Sequence, residues 1–480
     1  MSWLEGGLMA ALVGVLHFSA ALATSGHAIL SKRDSRAAVA WVGVIWLVPF
    51  AGPVLYLLLG INRIRRRAAE LRREKPRVNG GETLERFTPP PEQRNLPAGA
   101  AALARLVDRV TLQPLLEGNR IRPLKNGDQA YPAMLEAINS ARESITLSTY
   151  LFANDATGRD FARALGQAVR RGVAVRVLVD AVGMRYSFPT IARHLHRERV
   201  PFARFLPTRT PLAMPFMNLR NHRKLLVVDG LVGFTGGMNI AEGNRLTHQP
   251  RRPIRDLHFA LEGPVVTQLQ AVFAEDWAFT TREYLTGPQW FPAPYAPGNS
   301  LARVVVDGPD ESFDTLRQIL VGALSVAEKR VSIMTPYFLP DATLQDALQT
   351  AALRGVSVDV LLPERNNLKI VDWACRPHLE ELVRWGVRVW YSRGDFDHSK
   401  VMTVDGCWAL LGSANWDPRS LSLNFECNVE CHDARVCAEL EAWFDIRLYD
   451  SFPLSEEQLR SQWLITRLRN GMARLLSPYL

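Results

Sequence analysis

His222, Lys224 and Asp229 stand in the spacing His-x-Lys-x4-Asp, and His398, Lys400 and Asp405 repeat it. Seven positions after each aspartate a glycine-led run ending in asparagine begins, Gly236-Gly237-Met238-Asn239 and Gly412-Ser413-Ala414-Asn415. A lone histidine in a strand is ordinarily a packing or surface residue, but a doubled constellation in register marks a site. Residues i and i+2 share one strand face, so each histidine is expected to point with its lysine. Two imidazoles and two ammonium groups converging on one pocket suit an anion. The lysines and the Asn239 and Asn415 amides can hold phosphoryl oxygens, and the glycines let backbone approach the phosphate. One imidazole can attack phosphorus while the other protonates the departing alkoxide and then deprotonates an incoming alcohol. The expected chemistry is a two-step phosphoryl exchange through a phosphohistidine, without metal or cofactor, since no carboxylate-rich cluster in the sequence calls for Mg²⁺. Asp229 and Asp405 complete the motif, yet an Asp just past a strand commonly serves its turn, so they are expected to support architecture more than chemistry.

The elements that position these groups are themselves repeated. Ser144 to Phe152 finds a counterpart in Val331 to Leu339, and both are β-branched and aromatic runs that read as strands. Each is preceded by a helical pattern (Ala133 to Ala141; Thr315 to Ala327) and followed by another (Asp160 to Arg170; Thr343 to Leu353). Each second helix ends in Arg-Gly-Val and leads into an apolar strand, Ala174 to Val179 or Ser357 to Leu362, with Gly172 and Gly355 at the expected C-caps. The fold class expected is α/β, with two duplicated sandwich units about a pseudo-twofold axis.

With the motifs and the repeat established, the chain resembles the phospholipase D superfamily, and its bacterial cardiolipin synthase branch in particular. The second resemblance rests on Trp46 to Phe50, Gly60 to Arg67, Asn221-His222-Arg223-Lys224, Asp417-Pro418-Arg419-Ser420 and Asn424-Phe425-Glu426. It implies metal-independent transfer of a phosphatidyl group, usually between two phosphatidylglycerol molecules, giving cardiolipin and glycerol. It also implies His222 as nucleophile, His398 as acid and base, and a carboxylate against each histidine, for which Glu426 and Asp256 are the candidates. Such a carboxylate fixes the imidazole tautomer and favours its cationic form. The sequence departs from the family pattern at Gly237, where serine is usual and where Ser413 stands in the second motif as a phosphate hydroxyl donor, and at Asp397, where an apolar residue is more typical.

Composition supplies the rest. The 480 residues carry a formal charge of +9, of which residues 1–80 contribute +7 through eleven Lys/Arg against four Asp/Glu. The remaining body is nearly neutral and lacks a basic stripe with interleaved aromatics, which argues against a nuclease of the same superfamily. A hydrolytic, membrane-anchored phospholipase D is the nearer alternative, because hydrolysis and exchange share the first half-reaction. Gly6 to Ser31 and Ala37 to Asn62 are apolar runs of 26 residues each, beyond the roughly 20 a spanning helix needs. They read as a transmembrane hairpin. The cations from Arg63 onward favour cytoplasmic catalytic units, and the resemblance implies a multi-pass protein of the bacterial inner membrane. The five cysteines all lie in the last quarter and read as reduced and buried rather than as a metal site.

The chain is thus read as two membrane helices (1–62), a basic, proline-rich linker (63–97), a first unit (98–297), a second unit (298–455) and a C-terminal basic amphipathic helix (456–480). Expected partners are membrane phospholipids, phosphatidylglycerol or phosphatidylethanolamine, with neither nucleic acid nor an obligate protein partner. Leu212, Met214, Phe216 and Met217 are candidates for lining an acyl-chain path beside the first motif. At the C-terminus Leu464, Ile465, Leu468, Met472, Leu475 and Leu476 cover about 120° of a helical wheel, flanked by Arg460, Arg467, Arg469 and Arg474. That helix suits an anionic lipid surface or a groove on the globular body equally.

Overall fold

The computed structural model describes residues 2–32, 35–60, 84–111, 113–207, 219–309 and 314–477. The residues proposed for an acyl-chain path, and linker residues 61–83, lie outside them.

The N-terminal unit holds α1 (Ser2–Ser31), α2 (Ser35–Leu47) and α3 (Ala51–Leu55), followed by a π-helical turn over Tyr56–Gly60. Among the described residues only Ala11–Ser31 is long and apolar enough to cross a membrane. The expected hairpin, and with it the multi-pass arrangement in an inner membrane with cytoplasmic units, is therefore corrected. The second apolar stretch does not form one helix: Pro49 has no amide hydrogen to donate, and Phe50 adopts a left-handed φ of 61°. The pieces that result are too short to span. Inside this unit, Trp46 donates its indole N–H to Ser25 Oγ at 3.1 Å, and His27 Nδ1 meets the Tyr56 hydroxyl at 2.7 Å.

The body begins with α4 (Ala98–Val110). Its first half runs β1 (Leu116–Lys125), α5 (Asn126–Ser140), β2 (Ser144–Thr149), α6 (Ala156–Arg170), β3 (Ala174–Asp180), α7 (Ala192–Arg197) and β4 (Phe202–Phe205). It continues with β5 (Leu225–Val228), β6 (Val232–Gly236), β7 (Ile254–Arg255), β8 (Leu257–Glu262) and α8 (Val265–Thr281). The second half repeats the order as β9 (Ser300–Asp307), α9 (Thr315–Val326), β10 (Arg330–Met334), α10 (Ala342–Leu353), β11 (Ser357–Pro363), α11 (Lys369–Arg384) and β12 (Arg388–Ser392). There follow β13 (Phe396–Asp397), β14 (Val401–Val404), β15 (Trp408–Gly412), α12 (Pro418–Ser422), β16 (Glu426–His432) and α13 (Ala434–Tyr449), then β17 (Ser451–Pro453), α14 (Glu456–Arg460) and α15 (Leu464–Leu475).

Fifteen strands form one sheet in the order β17-β12-β11-β10-β14-β15-β16-β9-β1-β8-β6-β5-β2-β3-β4. The order reads nearly the same outward from the β9-β1 pair, as duplication requires. The expected helix ends hold: Gly172 and Gly355 both take a φ of 91°, a conformation open to glycine at little cost. One apolar core takes side chains from both halves, among them Phe259, Leu261, Val304, Leu411 and Val429. Cys427, Cys431 and Cys437 are buried in it, and burial pushes the Cys427 thiol up to about 12.

A buried ion pair crosses the centre of the sheet. Arg303 on β9 faces Glu430 on β16 at 2.5 Å, with both side chains fully buried. Glu430 also accepts from Trp408 Nε1 at 3.0 Å, and Arg303 reaches Asp108 of α4 at 2.6 Å. Removing one member strands a charge in a place water does not reach. We expect Arg303→Leu to cost about 3–5 kcal/mol of stability, and the double change Arg303→Met with Glu430→Leu to recover much of that. Urea unfolding of the three proteins in detergent decides it, and a single variant with an unchanged midpoint refutes it.

Candidate active site

The two histidines lie in extended segments just before β5 and β14, rather than within those strands as the sequence suggested. What holds them extended is pairing with the opposite half. The His222 amide donates to Phe425 O at 3.0 Å, and the His398 amide donates to Arg255 O at 2.7 Å. The residue before each histidine turns the chain in the same way: Asn221 Oδ1 accepts from the Arg223 amide, and Asp397 Oδ1 from the Ser399 amide, both at 3.1 Å. The unusual Asp397 therefore does the work of Asn221. Its second oxygen takes Arg447 at 3.1 Å, where Asn221 instead donates to Asp276 at 3.0 Å.

The same crossing supplies the carboxylates that the family resemblance implied. His222 Nδ1 lies 2.9 and 3.0 Å from the two oxygens of Glu426, and His398 Nδ1 lies 2.8 Å from Asp256 Oδ2. Each histidine is thus braced by an acid from the other half. Lys224 and Lys400 fold back to donate to the carbonyls of His222 at 2.7 Å and His398 at 2.5 Å. The crossed pairings bring the two histidine–lysine pairs together, near enough for each charge to act on the others.

The two pairs differ electrically. Glu426 accepts from Ser413 Oγ at 2.5 Å and from Asn424 Nδ2 at 3.2 Å, besides facing His222. Burial pushes its carboxyl up, but His222, Lys224 and Ser413 outweigh that and hold it below the ordinary glutamate range. Asp256 has no such hydroxyl. Its partner position is Gly237, where an added Cβ would fall on the Asp256 carboxylate. Asp256 accepts the Leu257 amide at 2.8 Å, and burial, only partly offset by Lys400, pushes it up to about 8. Burial also pushes His222 down to about 4 against the pull of Glu426, and sends His398 well below the usual histidine value. Lys224 and Lys400 fall to about 7 and about 8, again chiefly through burial.

Other candidates fall outside the centre or take different duties. Asp229 and Asp405, grouped with the catalytic motif, sit at the far ends of β5 and β14. Asp229 accepts the amides of Arg142, Glu143 and Ser144, and Asp405 those of Glu328, Lys329 and Arg330, so both act as turn anchors. Ser413 spends its hydroxyl on Glu426 rather than on a phosphate position. Asn239 Oδ1 accepts the Leu151 amide at 3.1 Å, while Asn415, which lines a small cavity with Lys400, donates to Ser420 Oγ at 3.3 Å.

Two tyrosines join the site that the motif reading did not single out. The Tyr150 ring lies edge-on to His222 at 5.4 Å, and Tyr337 to His398 at 6.4 Å. Tyr150 and Tyr337 occupy matching positions in the repeated strand segments, so the signal was present in the alignment of the two halves.

Paired histidines and lysines at the centre of a duplicated α/β sandwich define a phosphodiester-exchanging enzyme of the phospholipase D type. Comparison with known proteins is sharper still. The family model described as cardiolipin synthase, phospholipase D-like domain, matches residues 134–277 and 320–448, and a phospholipase D-nuclease N-terminal model matches residues 20–60. Cardiolipin synthase A of Pseudomonas aeruginosa (strain LESB58) is 35% identical over 478 residues, covering 99% of this chain and 96% of that protein. Cardiolipin synthase of Geobacillus kaustophilus (strain HTA426) is 31% identical over 463 residues, covering 94% and 90%. The chain belongs to the cardiolipin synthase family of the phospholipase D superfamily. Its fold is also similar to that of phosphatidylserine synthase from Haemophilus influenzae Rd KW20, with a TM-score of 0.61 at 15% identity, over 79% of this chain and 100% of that one.

Proposed function

We propose that this enzyme transfers a phosphatidyl group from one phosphatidylglycerol to a headgroup hydroxyl of another, with His222 as nucleophile and His398 as acid and base. The observation that carries the division of labour is the electrical difference between the two histidine–carboxylate pairs. With Glu426 anionic and accepting from Nδ1, neutral His222 keeps its Nε2 lone pair free for attack. The Asp256–His398 pair holds one more proton at neutral pH, because Asp256 remains protonated up to about 8. It can give that proton away.

In the first step His222 Nε2 bonds to phosphorus, the bond from phosphorus to the glycerol oxygen breaks, and His398 passes its proton to that oxygen. Glycerol leaves and phosphatidyl-His222 remains. In the second step His398 takes the proton of an incoming lipid hydroxyl, the new phosphorus–oxygen bond forms, and His222 departs unchanged. Lys224 and Lys400 hold the phosphoryl oxygens throughout. The two halves, 98–297 and 298–455 in our division, each contribute one histidine and one lysine.

Incubation of the purified enzyme with phosphatidylglycerol vesicles, followed by lipid mass spectrometry, tests the reading. Cardiolipin and glycerol in equal amounts are expected. Phosphatidic acid without cardiolipin assigns the chain to hydrolysis instead. The same assay run against pH carries a second expectation. Raising the pH through about 7 to 8 discharges Lys224 and Lys400 and removes the Asp256–His398 proton, while lowering it toward about 4 protonates His222. kcat/KM is therefore expected to form a bell, falling at least tenfold between pH 7 and pH 9. A profile flat to pH 10 contradicts it.

A further inference from the structure

The C-terminal helix α15 has its polarity reversed relative to an ordinary docked helix. Trp463 is 83% exposed, Leu464 71%, Ile465 79%, Met472 69% and Leu475 75%. The side chains it buries are Asn470 and Ala473. Asn470 donates to Gln462 at 3.0 Å, and Arg469 lies over the Trp373 ring of α11 at 4.4 Å. A narrow strip of Asn470 and Ala473, with Arg469 beside it, thus faces the body, while the apolar residues stay exposed together with Arg467 and Arg474. An outward apolar face on this scale marks a binding surface.

We propose that this face lies on the surface of an anionic phospholipid bilayer and gives the catalytic body a lipid contact of its own, separate from α1. Charge chooses the occupant. Residues 463–476 hold three arginines and no acid, so a second copy docked about a twofold axis would oppose like charges. Anionic headgroups complement them.

Position supports the same occupant. Helix α15 packs on α11, and α11 begins at the rim of the active site. There Asn367 accepts from the Tyr337 hydroxyl at 2.8 Å, beside Leu368, 47% exposed, and Ile370, 37% exposed. On the other half Tyr186, 68% exposed, touches the Tyr150 ring at 6.1 Å, and Phe188 is 97% exposed. Apolar groups therefore crown the mouth on both sides, and α15 shares a scaffold with one of them. The inference does not depend on which phosphodiester is exchanged.

The test uses the full chain in nanodiscs of phosphatidylcholine with or without phosphatidylglycerol, and a fluorophore at Ile465→Cys, Met472→Cys or, as an exposed control on α13, Glu439→Cys. Lipids carrying an acyl-chain spin label are expected to quench the labels at 465 and 472 at least twofold more than the label at 439. Phosphatidylglycerol is expected to increase the difference, and Arg467→Gln with Arg474→Gln to remove that increase. Equal quenching at all three positions overturns the proposal. So does a shielded label in detergent with a dimeric mass, which would give the face to a second copy.

Discussion

Replacing His222 by alanine is expected to abolish cardiolipin formation by about 10⁴-fold or more and to leave no covalent phosphoenzyme. His398→Ala should lose turnover of phosphatidylglycerol to a similar degree, but for a different reason, and an activated substrate separates the two. A glycerol oxygen needs a proton to leave, whereas a nitrophenolate does not. With a phosphatidyl nitrophenyl ester, His398→Ala should still release nitrophenol once per active site and then stall as phosphatidyl-His222, because the incoming alcohol finds no base. His222→Ala should release none. Mass mapping of the trapped peptide locates the bond, and an adduct on His398 in the His222→Ala protein would reverse the assignment. Unchanged thermal unfolding in both variants excludes loss of fold as the cause.

The second large effect concerns the carboxylates. Glu426→Gln replaces an anion held by Ser413, Asn424 and His222 with an amide that can present a donor to Nδ1 and so impose the wrong tautomer. The expected loss in kcat is about 10²–10⁴-fold, seen as slow formation of the phosphoenzyme. Asp256→Asn should lose rate on the same scale, but its signature is the pH profile. The fall near pH 8 should be reshaped in Asp256→Asn and preserved in Glu426→Gln. Identical profiles for the two variants would reduce both residues to structural supports.

Glu426 and Asp256 come from the family resemblance alone, whereas the histidines and lysines follow from the doubled spacing, and the duplicated helices and strands from period, glycine caps and apolar runs. Those are local signals. Alternation predicts strands for the segments holding His222 and His398 because it looks the same in any extended chain, while their actual pairing is with Phe425 and Arg255, some two hundred and some one hundred and forty residues away. No local pattern encodes that. Asp397 departs from the family pattern, and Arg447 beside it compensates the added charge, a partnership with no sequence signature. The second apolar run failed as a span because hydropathy counts side chains and ignores the backbone, and Pro49 acts on the backbone.

The crossing of the braces has a consequence for how the two halves can change. In a symmetric pair of identical subunits, any substitution appears at both reacting centres at once, and the two histidines stay equal. Here the halves are joined in one chain, so Gly237 can face Asp256 while Ser413 faces Glu426. Duplication followed by fusion frees each histidine to be tuned by mutations in its neighbour's half. A reaction that asks one imidazole to attack and the other to shuttle protons gains from that inequality. On the proposed roles, a fragment holding one half with its own motif intact would lack the acid that contacts its histidine, and is expected to be inactive.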